Sequence, residues 1–111
     1  MARGYVPTAG EIVWLQFSPQ AGHEQSGHRP ALVLSPASYN GKTGMMVCCP
    51  MTTQIKDYPF EVVVAGRDPG AVLADQIKSL DWRARSARRK GRVSEAVLDE
   101  VRAKIRALIG A

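Results

Sequence analysis

Apolar residues fall in short bursts through the first three quarters of the chain and take up a helical rhythm only at its end. The runs "EIVWLQF" (11–17), "PALVLS" (30–35), "MMVCCP" (45–50), "FEVVVA" (60–65) and "DQIKSLDW" (75–82) have the lengths of strands and are rich in Val, Ile, Trp and Phe. Between them lie "SPQAGHEQSGHR", "PASYNGKTG", "TTQIKDYP" and "GRDPGA", which are turn and loop compositions, and Asn40-Gly41 is a tight-turn signal. From Ser94, which suits an N-cap, apolar residues recur at Val97, Leu98, Val101, Ile105, Leu108 and Ile109, and Gly110 ends the run. Glu95, Asp99 and Glu100 stand early and Arg102, Lys104 and Arg106 late, the order that favours the helix dipole. Several short strands and one amphipathic helix predict a mainly β (α+β) fold, a small β-barrel or strongly curved sheet with the C-terminal helix packed on it.

Composition narrows the class without changing that picture. The 111 residues suffice for a single domain, 1–111, with one hydrophobic core, and a 45% hydrophobic content is that of a globular chain. No stretch approaches the length of a membrane span and "MARGYVPTAG" has no signal-peptide core, so a cytoplasmic protein is expected. Cys48 and Cys49 are adjacent in an apolar run. Neighbours on a strand point to opposite faces, so the expectation is two buried thiols rather than a disulfide. No C-x-x-C pair accompanies His23 and His28, and neither a metal site nor a cofactor is expected.

Charge is more informative. Net charge is +5, and "RARSARRKGR" (83–92) alone supplies six of the fifteen basic residues: Arg83, Arg85, Arg88, Arg89, Lys90 and Arg92. The remainder is nearly neutral, so the basicity is a patch. Such a patch either contacts a polyanion or is a solvated surface without a partner.

Three loop-borne groups have side chains suited to chemistry. "EQSGHRP" (24–30) places Glu24, Gln25, His28 and Arg29 within a few positions. "PMTTQIK" presents Thr52, Thr53, Gln54 and Lys56 after a buried strand, and "ADQIKSLDWR" presents Asp75, Gln76 and Lys78. Taken singly, each has a bland reading as a cap, a turn or a surface. Together they suit RNA cleavage in which the ribose 2′-hydroxyl attacks its own phosphate. That reaction needs the strand held in line, charge stabilised on the phosphorane, and protons moved at the nucleophile and leaving oxygen. A guanidinium fork matches phosphate oxygens and a threonine hydroxyl adds a neutral hydrogen bond.

The stretches "GEIVWLQFSPQAGHEQSGHRPALVLSP", "YNGKTGMMVCCPMTTQIKDYPFEV" and "LADQIKSLDWRAR" resemble the MazF/PemK family of toxin endoribonucleases, or mRNA interferases, over nearly the whole chain. Glu11 stands where the family usually has Asp. The resemblance implies a PemK-like, SH3-like β-barrel with a C-terminal helix, forming a homodimer. It implies sequence-specific cleavage of single-stranded RNA, such as mRNA, and neutralisation by a cognate, MazE-like antitoxin with an acidic C-terminal segment. It carries catalysis mainly to Arg29 and Thr52, with Glu24 assisting. It sets Gln25, His28 and Lys56 near the RNA, where Thr53, Gln54, Gln76, Lys78, Arg83 and Arg85 are further candidates. Arginine holds its proton in proteins, so Arg29 suits charge stabilisation and donation toward the leaving oxygen rather than a general base. Glu24, or alternatively His28, would then serve the 2′-hydroxyl. A non-catalytic toxin of the gyrase-poisoning kind, or a plain RNA-binding module, is the competing reading, because one barrel hosts several functions.

Overall fold

The computed structural model describes residues 4–16, 28–66 and 69–111, and among these it has seven strands and two α-helices. The strands are β1 (Glu11–Gln16), β2 (His28–Val33), β3 (Met45–Thr52), β4 (Glu61–Val64), β5 (Gly70–Leu73), β6 (Lys78–Asp81) and β7 (Arg88–Arg92). The helices are α1 (Ala37–Thr43) and α2 (Glu95–Ile109), and a single 3-10 turn covers Ala74–Gln76. The strands pair antiparallel in the order β4-β5-β3-β2-β1-β7, and β6 joins at β3. The sheet curls into a half-barrel with the C-terminal helix packed against it, the mainly β architecture the sequence predicts.

β3 organises this curl. It meets β2 through Cys48–Pro50, β6 through Met45–Cys48 and β5 through Met51–Thr52. Both faces of the central strands are covered, so the chain builds two apolar clusters where the sequence suggested one. Ile12, Leu32 and Cys49 pack with Val62 and Val72 against Leu98, Val101 and Ile105 of α2. On the other face Val13, Leu15, Ala31, Val33, Met46 and Cys48 pack around Trp82. The alternation of side chains along a strand sends the two cysteines into different clusters. Both are free and buried. Loss of hydration pushes the Cys48 thiol up to about 11 and the Cys49 thiol up to about 12.

α2 begins and ends as its sequence directs. The Ser94 hydroxyl accepts the Val97 amide at 3.2 Å, a cap that stabilises by about 1 kcal/mol. Gly110 adopts the left-handed conformation and closes the last turn onto Arg106.

Three local expectations fail, each because tertiary contacts override a local signal. Asn40-Gly41 lies inside α1 rather than in a tight turn. Asn40 is fully buried, donates to the carbonyls of Pro7 (2.7 Å) and Ser35 (3.0 Å) and accepts the Ser35 hydroxyl at 2.6 Å. "DQIKSLDW" starts as the 3-10 turn and becomes a strand only at Lys78. "GRDPGA", read as a loop, gives its last two residues to β5, and the end of the basic run forms β7.

Candidate functional site

The site forms where β2 begins and β3 ends. The β2–β3 register pairs Ala31 with Pro50, and two residues further along it runs toward Arg29 opposite Thr52. Both line a pocket of about 320 Å³ with Pro30, Met51, Thr53 and Gln54. Residues directly across an antiparallel ladder share a face, so a cationic fork and a hydroxyl meet across the pocket. The Arg29 side chain is exposed and makes no hydrogen bond or ion pair among the described residues. The Thr52 hydroxyl accepts the Gln54 amide at 3.0 Å. That bond uses one lone pair and leaves the O–H for an incoming acceptor.

Thr52 is fixed from behind. It pairs with Ala71 of β5, and the backbone of Gly70 passes so close that a Cβ there would stand 2.9 Å from the Thr52 carbonyl oxygen. Only glycine permits this approach.

A second cavity of about 560 Å³ shares Thr52 and Gln54 and extends over residues 56–59 to Glu61, Asp75 and Gln76. Its rim is tied down. Glu61 Oε1 accepts the amides of Lys56 (3.0 Å) and Tyr58 (3.4 Å), and Lys104 Nζ donates to the Pro59 carbonyl at 2.7 Å. The Tyr58 hydroxyl donates to Asp75 Oδ2 at 2.7 Å, a bond that raises the phenol's pKa. A third cavity, about 400 Å³, lies on the other side of Thr52 and Thr53 and is lined mainly by apolar groups including Trp14, Pro30, Met51 and Val64, with Lys90 at its edge.

The fold therefore brings Arg29, Thr52, Thr53, Gln54, Lys56 and Gln76 into one continuous groove. Glu24 and Gln25 lie outside the described residues. His28 is exposed at the start of β2, paired with Gln16. Lys78 pairs with Cys48 on β6. Arg83 and Arg85 line none of these three cavities. Arg83 donates to the Gly41 carbonyl at 3.0 Å and lies over the Trp82 ring, while Arg85 donates to the Gln16 carbonyl at 3.2 Å. Arg89 pairs with the largely buried Glu11 at 3.0 Å, and Glu11 also accepts the Tyr5 hydroxyl and the Thr8 amide. Much of the basic run thus holds β1 and α1 in place. Among the described residues, no three His, Cys, Asp or Glu side chains converge as a metal site would require. Lys90, from the basic run marked in the sequence for polyanion contact, lines the third cavity, whereas Gly70 and Tyr58 line these cavities although the sequence reading did not select them. Of those two only Tyr58, an aromatic among loop residues, left any signal there.

Residues 8–109 match the family of PemK-like, MazF-like toxins of type II toxin-antitoxin systems. The chain belongs to the PemK/MazF family. It is similar to the endoribonuclease toxin MazF of Escherichia coli (strain K12), at 55% identity over 111 residues covering 99% of this chain and 100% of that one. Endoribonuclease PemK of Escherichia coli is 38% identical over 98 residues, 83% of this chain and 74% of that protein. Among solved structures, MazF of Deinococcus radiodurans superimposes with a TM-score of 0.86 at 56% identity, covering 96% and 99% of the two chains. The MazE-MazF complex of the same organism gives 0.86 at 50% identity, covering 96% and 97%. These likenesses extend over the whole sheet and α2. Among the described residues, no helix of this family member is long and apolar enough to cross a membrane.

Proposed function

We propose that this PemK/MazF-family protein is the endoribonuclease toxin of a toxin-antitoxin pair, cutting single-stranded RNA at a short recurring sequence. The observation that carries the reading is the Arg29–Thr52 pocket, which offers a guanidinium and a hydroxyl to one phosphate. Arg29 binds the phosphate oxygens, stabilises the charge that builds in the phosphorane and can donate toward the departing 5′-oxygen. Thr52 donates to a phosphate oxygen and keeps the strand in line. Glu24 takes the 2′-hydroxyl proton, with His28 as the other candidate. Gln25, Thr53, Gln54, Lys56 and Gln76 contact flanking nucleotides, and Lys78, Arg83 and Arg85 attract the backbone from further away. The nucleophile comes from the substrate, so the reaction needs no metal or cofactor. The active form is a homodimer, and an acidic segment of a MazE-like antitoxin competes for the same basic groove.

Replacing the single ribose 5′ to the scissile phosphate by deoxyribose tests the chemistry. Binding changes little, because one hydroxyl is a small part of a phosphate-dominated contact. Cleavage at that position stops, while the all-ribose strand is cut in EDTA to a 2′,3′-cyclic phosphate and a 5′-hydroxyl. Cutting at the deoxy position would make water the nucleophile and defeat the proposal.

A further inference from the structure

Every residue from Thr53 to Pro59 is exposed, so packing does little to fix the loop between β3 and β4 that carries Gln54 and Lys56. Hydrogen bonds hold it instead. Its start hangs on the Thr52 hydroxyl, which accepts the Gln54 amide. In its middle Asp57 stands at φ 57°, a left-handed conformation that a residue with a side chain adopts at a cost. The amides on either side, those of Lys56 and Tyr58, turn to one point and meet Glu61 Oε1 at 3.0 and 3.4 Å. Backbone N–H groups converging around such a turn form a nest for an anion, and here the chain fills it with its own carboxylate.

The posts that hold the loop are themselves fixed. Glu61 is set in the sheet, paired with Leu73 of β5. Lys104 reaches across from α2 and donates to the Pro59 carbonyl at 2.7 Å, a bond between residues 45 positions apart. The proposed cleavage chemistry uses neither side chain. A carboxylate lining a groove for a polyanion works against binding unless it serves another purpose, and the nest supplies one.

Resting on the RNA-cleaving reading above, we infer that Glu61 and Lys104 are positioning residues that hold the β3–β4 loop in its RNA-binding shape before the strand arrives. Gln54 and Lys56 then need little ordering on binding. Fixing the backbone of one residue costs roughly a factor of ten in an equilibrium at room temperature. A loop that is competent only about a tenth of the time therefore binds about tenfold more weakly. Once the strand is bound the loop is in place, so the loss falls on KM rather than on kcat.

The test compares wild type with Glu61→Ala, Glu61→Gln, Lys104→Met and Lys104→Arg, reading kcat and KM on a defined RNA and amide hydrogen exchange in the RNA-free protein. Glu61→Ala should raise KM about tenfold with kcat within about twofold of wild type, and amides 56 and 58 should exchange about tenfold faster. Glu61→Gln keeps an acceptor oxygen and should raise KM only about threefold. Formate, compared with chloride at equal ionic strength, should refill the nest of Glu61→Ala and lower its KM about threefold. Lys104→Met keeps the stem without the donor and should raise KM about threefold, while Lys104→Arg restores a donor and should match wild type. The salt dependence of RNA binding should be the same in Lys104→Met as in wild type, and a shallower slope would make Lys104 a phosphate contact and overturn its positioning role. An unchanged KM in Glu61→Ala, a loss confined to kcat, or no advantage of formate over chloride would overturn the role of Glu61. A wild-type chain that neither binds nor cuts RNA is a separate outcome, and it would defeat the cleavage reading itself.

Discussion

Gly70→Ala tests whether the fold positions the proposed catalytic threonine from behind. The added Cβ would stand 2.9 Å from the Thr52 carbonyl oxygen, and ordinary contact begins at 3.4 Å, so one strand must retreat by about 0.5 Å. β5 is tied to β4 along its length and β3 is ending there, so Thr52 is the side that gives way. Misplacing a reacting group by about 1 Å costs on the order of a hundredfold, so half that displacement predicts roughly a tenfold loss in kcat. KM should change little, since the strand contacts proposed above extend over the rest of the groove. Overpacking costs about 1–3 kcal/mol and the stiffer unfolded chain returns about 0.4–1, leaving a net loss near ~1 kcal/mol. For a chain of this size that lowers Tm by about 4 °C. Gly91→Ala is the matched control, because a Cβ there meets nothing within 4 Å and the backbone is not left-handed. Initial rates on a defined RNA and thermal melts of both variants decide the matter. If Gly70→Ala keeps wild-type kcat, the close approach does not set the position of Thr52.

Arg29→Ala should lower kcat by several orders of magnitude while RNA affinity, measured by filter binding, is largely kept, because in the proposed role the guanidinium acts mainly on the extra charge that builds up in the transition state. Thr52→Ala should be severe and Thr52→Ser mild, since the hydroxyl alone is needed; an active Arg29→Ala protein would remove Arg29 from the chemistry. Stability should be lost in alkali through the buried thiols: the fold raises Cys48 to about 11 and Cys49 to about 12, so it favours the protonated forms. Their contribution is full below the unfolded thiol pKa of about 8.5 and is lost as pH climbs through 11 and 12. Guanidinium unfolding midpoints from pH 7 to 11 check this, and a midpoint that stays flat across that range would refute it.

The period of the C-terminal helix, its Ser94 cap and Gly110 stop, and the divergence of Cys48 from Cys49 were fixed by local chemistry. A helix cap spans three residues and strand alternation spans two, so both can be read without the rest of the chain. The polar "HRP" and "TTQ" segments were legible as candidate site residues for a similar reason: each leaves a buried strand and has nothing to pack. Their meeting was not legible from spacing alone. Arg29 and Thr52 are 23 positions apart, and only the β2–β3 register brings them to one pocket.

Elsewhere the tertiary structure decided against the local signal. Asn40-Gly41 has the composition of a turn, but Asn40 reaches carbonyls at Pro7 and Ser35, and its own carbonyl accepts the Trp82 indole N–H at 3.0 Å. Buried bonds to residues up to 42 positions away outweigh a turn preference. The basic run has the composition of a solvated patch, yet pairing with β1 makes a strand of it, and the partly buried Glu11 gives Arg89 a partner 78 positions distant. Gly70 carries no signal in sequence beyond its turn-like neighbours, because its role is the proximity of another strand's carbonyl. Sequence alone determined which residues are apolar, which cap and which are chemically able. Which of them share a pocket depended on strand pairing between distant segments, and no local pattern encodes that distance.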